Sequence, residues 1–117
     1  MNYIDGFVLP IPRSQLDEYR RQASAVAEVW KEHGALEYRE FVGDDLQIAG
    51  LKSFGEAAAA SDDEVVVFGW VVFESKESRD VINEKVASDP RMETLIDAAS
   101  SGFDASRMAY GGFKPLV

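Results

Sequence analysis

Apolar positions along the chain repeat with two periods, and their order sketches a fold. Asn2 to Leu9 alternates, with Tyr3, Ile4, Phe7 and Val8, and reads as a strand. Pro10 and Pro12 should stop it, because proline cannot donate to a ladder. Ser14 is placed as an N-cap, with Asp17 three residues on. Leu16, Tyr19, Ala23, Val26, Ala27 and Trp30 then recur at helical spacing, which predicts a helix over Gln15 to His33 that Gly34 ends. Leu36 to Val42 reads as a second strand. Asp44 to Glu64 keeps neither period; a short strand near Gln47 to Phe54 or a helical turn near Glu56 to Ala60 is expected, with Asp62 and Asp63 in an exposed turn. Val65 to Glu74 is the third main strand, and Ser75 caps a helix over Lys76 to Ser88. Asp89-Pro90 restarts a helix whose apolar face is Met92, Leu95, Ile96 and Ala99. Ser100 to Gly102 is a turn, and Arg107 to Phe113 is the last strand.

Strand-helix-strand, twice over, predicts an α+β fold: a ferredoxin-like βαββαβ sandwich, with an antiparallel sheet and both main helices on one face. The third strand is apolar on both sides. Small and branched residues suit the helix side, which assigns Ile4, Gly6, Val8, Val67, Gly69 and Val71 there. Tyr3, Phe7, Phe68 and Trp70 are left for a face that no helix of this chain covers. Such a patch marks an interface or a cleft, so a homodimer through the open sheet face is expected, with a cavity between the sheets.

Charge narrows the partners. The chain carries 12 basic residues against 21 acidic ones, a net charge of −9, which disfavours nucleic acid and anionic membranes. No apolar run approaches the roughly 20 residues that span a bilayer. There is no cysteine, hence no disulfide and no thiolate metal site, in keeping with a reducing compartment. Met1 to Pro12 lacks a basic segment followed by a long apolar run, so a cytoplasmic protein is expected.

The stretches YIDGFVLPIP, WKEHGALEYRE, VVVFGWVVFESKESRD, INEKVASDPRM and RMAYGGF, in that order, resemble domain-of-unknown-function family 1428. These are short bacterial proteins of the dimeric α/β-barrel superfamily. The resemblance implies a single ferredoxin-like domain over residues 1–117 and a barrel made by two sheets. It implies no activity. Distant members of that superfamily include cofactor-free monooxygenases, haem-degrading enzymes, chlorite-dismutase-like proteins and ligand binders, an analogy of fold that transfers no mechanism.

Several polar residues are candidates for chemistry, each with a structural alternative. Asp5, beside Tyr3 and Phe7, would be desolvated and suited to acid–base work; the alternative is a solvated residue at a strand end, or a salt bridge to Arg39 or Arg107. Tyr38 and Glu40 share one strand face, either with Asp5, Trp70 and Tyr110 around one cavity or away from it, depending on register. Tyr110 could donate to an oxyanion or carbonyl, or simply pack. His33, the only histidine, is a helix-end cation or a proton shuttle or haem ligand. Arg91 at a helix start could hold a carboxylate or phosphate, or else pair with an aspartate or face solvent. Gly111-Gly112 marks a bulge or close approach, not a phosphate loop. One histidine and no cysteine argue against a zinc site, and no cofactor is expected. Two readings follow. One is a dimer that binds a small molecule without chemistry of its own, with Tyr3, Phe7, Tyr38, Phe68, Trp70 and Arg91 as binding residues. The other is a cofactor-independent monooxygenase-like enzyme or isomerase for an aromatic or enolisable molecule, using Asp5, Glu40, Tyr110 and His33. A third class is an interaction protein whose aromatic face a partner chain fills.

Overall fold

The computed structural model describes residues 2–96 and 101–117. They form an antiparallel four-stranded sheet with the two main helices on one face, the α+β ferredoxin-like arrangement. The strands are β1 (Tyr3–Pro12), β2 (Glu37–Val42), β3 (Glu64–Phe73) and β4 (Ala109–Phe113), in the spatial order β2-β3-β1-β4. The helices are α1 (Leu16–Glu32), α2 (Phe54–Ala57), α3 (Lys76–Ala87) and α4 (Arg91–Leu95). Two long central strands are thus flanked by two shorter edges.

The prolines do not stop β1. Arg13 N–H donates to Asp63 O at 2.9 Å, on the β3 side. Strand alternation therefore turns the nitrogens of Pro10 and Pro12 to the other side, where β4 pairs only as far as Val8. No ladder donor is needed there, so both prolines are tolerated. Ser14 likewise does not cap α1. It lies in a 3-10 turn, Arg13–Gln15, and α1 begins at Leu16 without a side-chain cap. Gly34, at φ 117°, ends the helix as expected. Ser75 caps α3 by accepting from Ser78 N–H at 3.0 Å. The middle segment forms the short helix α2, capped by Ser53, and no strand near Gln47 to Phe54. Ala99 and Ser100 lie outside the described residues.

The core lies between the sheet and α1 and α3. Leu9, Ile11, Val29, Val71 and Phe73 are almost fully buried there. Cross-strand register fixes the faces: Phe7 pairs with Gly69, Leu9 with Val67 and Asp5 with Val71. Val67, Gly69 and Val71 face the helices as expected, so Asp5, Phe7, Leu9 and Ile11 face them too. The assignment of β1 is therefore reversed. Ile4, Gly6 and Val8 lie on the open face, and Tyr3 and Phe7 on the helix side. Residue size misled here because Gly69 makes room for a ring: a β-carbon on Gly69 would stand 2.5 Å from Phe7 Cζ. Phe68 and Trp70 do lie on the open face, with Phe41 and Phe113. That face is not wholly bare of its own chain, since Phe54 of α2 meets Phe68 edge-on at 5.7 Å.

Candidate ligand site

Two neighbouring rows of paired residues cross the helix face of the sheet. One runs Glu40, Gly69, Phe7, Tyr110; the next runs Tyr38, Val71, Asp5, Gly112. An acid and a tyrosine thus stand on adjacent rows at either end, Glu40 and Tyr38 both on the β2 edge, and Tyr110 on the β4 edge beside Asp5 of β1. Phe7 lies between them, stacked on Tyr110 at 5.8 Å and tilted toward Tyr38 at 6.2 Å.

At the β2 edge, Glu40 accepts from Tyr38 at 2.8 Å through one oxygen and from Tyr19 of α1 through the other. Burial pushes the Glu40 carboxyl above its ordinary value, and the two hydroxyls pull it partly back. Burial, and then the Glu40 charge, raises both tyrosines well above their usual range. They remain protonated donors at any ordinary pH.

At the β4 edge, Asp5 is completely buried. It accepts from Arg79 Nε of α3 at 2.9 Å and from Tyr110 at 2.7 Å. Tyr110, 45% exposed overall, is also raised, first by desolvation and then by its hydrogen bond to Asp5. The partner of Asp5 is therefore Arg79, not Arg39 or Arg107. Arg39 lies over the Phe41 ring and Arg107 pairs with Glu64. The Gly6–Gly111 and Asp5–Gly112 pairs keep an unbroken register, so Gly111-Gly112 is not a bulge. It is a close approach: Arg79 Nη2 would lie 2.7 Å from a β-carbon on Gly112, and the Tyr3 hydroxyl closer still.

Between these two clusters, under α1 and α4, is a cavity of about 160 Å3. Phe7, Tyr38, Glu40 and Tyr110 contribute from the sheet; Tyr19, Gln22 and Trp30 from α1; Met92 from α4. The Gln22 side-chain oxygen is buried without a hydrogen-bond partner among the described residues. Tyr19, Tyr38 and Glu40 also line a second hollow of about 250 Å3, whose other wall includes Arg20 and Ser24. The acid cluster is thus a partition between an apolar cavity and a more polar groove.

Of the candidates from sequence, Glu40, Tyr38, Phe7 and Tyr110 meet at this cavity, and Asp5 touches it through Tyr110. Trp70 and Phe68 do not; they are on the opposite side of the sheet, with Trp70 donating to Glu37 at 3.0 Å. His33 binds Asp89 at 2.8 Å and is not among the residues lining the cavity. Arg91 pairs with Asp89 and Glu32, the structural alternative rather than an anion site. These bonds join the end of α1 to the start of α4. Tyr19, Gln22 and Arg79 also serve this region, and no sequence pattern marks them for it. Tyr19 was one member of an apolar stripe, and nothing in one sequence shows which strand residue its hydroxyl meets. Among the described residues, no group of three or more His, Asp or Glu could hold a metal ion. No described helix is long and apolar enough to cross a membrane.

The sequence model for "Protein of unknown function (DUF1428)" matches residues 2–105. The chain belongs to this family. It is 41% identical over 117 residues to the uncharacterized protein YbaA of Escherichia coli strain K12, covering 100% of this chain and 98% of the relative. Solved structures share the fold at low identity. A NIPSNAP domain protein from Burkholderia xenovorans matches with TM-score 0.57 at 12% identity, covering 97% of this chain and 94% of the other. A dimeric ferredoxin-like protein from an uncultured marine organism gives 0.51 at 9%, covering 100% and 96%. SnoaB of Streptomyces nogalater, a cofactor-independent oxygenase, gives 0.50 at 10%, covering 97% and 94%. Similarity this distant speaks to the fold alone.

Proposed function

We propose that the protein is a cytoplasmic homodimer that binds a small molecule in the cavity between α1 and the sheet. The observation that carries this reading is the cavity itself, apolar except where the Tyr19–Glu40–Tyr38 cluster and Gln22 enter it. A mostly apolar hollow with few convergent polar groups is what small ligands occupy. Its volume, about 160 Å3, matches a cavity known to admit benzene. Ala23 of α1 lines the space, so Ala23→Leu should fill it without new polar contacts. Single-ring compounds that raise the melting temperature of the wild type should lose that effect in this variant. Equal shifts in both proteins, or none in either, would overturn the reading.

Dimerisation is supported by the open sheet face. Phe41, Phe68 and Phe113 are 43%, 41% and 58% exposed there, and apolar patches of this kind mark interaction surfaces. The molecule is a slab of 38 × 38 × 20 Å, broad enough to bury the roughly 800 Å2 per partner of a stable interface. A solved structure of the same fold is itself described as dimeric. Light scattering should give twice the chain mass, and Phe68→Asp should halve it; a wild-type monomer at micromolar concentration refutes the dimer. The absence of cysteine agrees with a cytoplasmic location.

A second reading, acid–base catalysis on an aromatic or enolisable substrate, is favoured by one observation. Glu40 is a half-buried carboxylate whose pKa desolvation raises, a property that suits a general base. For any substrate found by screening, Glu40→Gln should abolish turnover while Ala23→Leu weakens binding. Full turnover in Glu40→Gln discards this role.

A further inference from the structure

We propose that the ligand of this cavity is a small primary ammonium ion whose apolar body is about the size of one six-membered ring. The inference rests on the cavity being a binding site and adds the class of molecule that fits it. Its first ground is the sign of charge. Among the described residues lining the cavity, Glu40 carries the only carboxyl group, and no Lys, Arg or His joins it. An anionic ligand would meet a carboxylate with no countercharge.

The second ground is the direction of the hydrogen bonds. Tyr19, Tyr38 and Tyr110 each donate their only hydroxyl hydrogen to a carboxylate. What remains on all three is acceptor capacity. Glu40 keeps free lone pairs, because its two oxygens offer about four acceptor positions and the tyrosines use two. The Gln22 oxygen is a further acceptor, buried and unpartnered among the described residues. An ammonium brings three donors and no acceptor, the complement of this lining.

The third ground is the aromatic wall. Phe7, Tyr19, Trp30, Tyr38 and Tyr110 all border the cavity. Electron-rich ring faces attract organic cations, most of all where water is excluded. An ammonium beside Glu40 would also offset the burial that raises its carboxyl, and hold it in the charged form. The size follows from the volume of about 160 Å3.

The test is a matched set of one-ring probes, benzylamine, benzyl alcohol and benzoate, titrated calorimetrically into the full chain. Benzylamine should bind about tenfold or more tightly than the alcohol, and benzoate not measurably. In Glu40→Gln the preference for the amine should vanish while alcohol binding persists; circular dichroism confirms that the variant is folded. The wild-type ranking needs no variant and stands by itself. If the alcohol binds as tightly as the amine, or Glu40→Gln keeps the amine preference, the ammonium assignment fails and the cavity reading survives. If no probe binds, or Ala23→Leu binds them unchanged, both fail together.

Discussion

The ring of Phe7 occupies the space above Gly69, the residue directly opposite it on the neighbouring strand. A β-carbon on Gly69 would lie 2.5 Å from Phe7 Cζ and 2.7 Å from the carbonyl oxygen of Arg39. One neighbour is a packed ring and the other is backbone, so neither yields cheaply. Gly69→Ala should therefore destabilise the protein by about 1–3 kcal/mol, despite alanine's lower backbone entropy cost. Urea denaturation measures this. The Phe7→Leu background should recover part of the loss, since it removes the ring edge. An unchanged midpoint in the single variant would mean that the ring moves freely, and that the cavity floor is softer than its geometry implies.

Among the described residues, Asp5 and Arg79 form the most deeply placed ion pair, with Asp5 fully buried and the Arg79 side chain 19% exposed. Whether such a pair stabilises relative to an apolar substitute is an open balance, but breaking one half of it is not. Arg79→Met leaves a buried carboxylate with only Tyr110, and should cost about 3–5 kcal/mol. Adding Asp5→Asn removes the stranded charge, so the double variant should be more stable than the sum of the two single losses predicts. A double-mutant cycle in urea reads the coupling directly; strict additivity would show that the pair does not act as a unit.

Glu40 gives a pH signature of opposite sign to that of most carboxylates. Its folded pKa is raised above the ordinary value of 4.5, chiefly by burial. Between those two values the folded state binds more protons than the unfolded one, so stability falls as pH rises. The cost is absent below the unfolded value and fully present above the folded one. Glu40→Gln removes that titration, although it also disturbs the bonds from Tyr19 and Tyr38. The melting temperature of the variant relative to wild type should therefore climb as pH rises from about 4 to about 8. A difference that stays flat across this range would show that Glu40 is not desolvated.

Much of the fold was legible because periodicity reports on burial. The α1 stripe, the β3 run and the Ser75 cap each reflect a local rule, and their order fixed the sheet. The faces of β1 were not legible. Ile4, Gly6 and Val8 differ from Asp5, Phe7 and Leu9 by parity alone, and both sets contain apolar residues. Only pairing with Gly69 and Val71 decides between them, and pairing is a long-range property. Tyr38 and Glu40 waited on the same information. The site followed suit: Glu40 and Tyr110 stood out as chemistry, but Tyr19 and Arg79 enter from helices whose rotation over the sheet no local pattern encodes. His33 and Trp70 are conspicuous by residue type, but each bonds an acid away from the cavity, Asp89 and Glu37.

Arg107 holds the start of β3 and the turn before it. Its guanidinium donates to Glu64 at 2.6 and 3.0 Å and to the Ala59 carbonyl at 2.9 Å. Arg107, followed by the Ser61 backbone N–H, draws the Glu64 carboxyl down from 4.5 to about 2. A depressed carboxylate stabilises the folded state above its unfolded pKa, and that contribution is lost as pH falls through the folded value. The window here runs from 4.5 down to about 2. Because the Arg107 side chain is 38% exposed, solvent screens the pair and the effect on global stability should be small. The informative readout is therefore the pKa itself. In Arg107→Ala, NMR titration should place Glu64 well above its wild-type value yet still below 4.5, since the Ser61 N–H and hydroxyl continue to donate to it at 2.9 and 3.1 Å. A Glu64 pKa that does not move in the variant would mean that the serine contacts alone hold the carboxylate, and that Arg107 acts through Ala59.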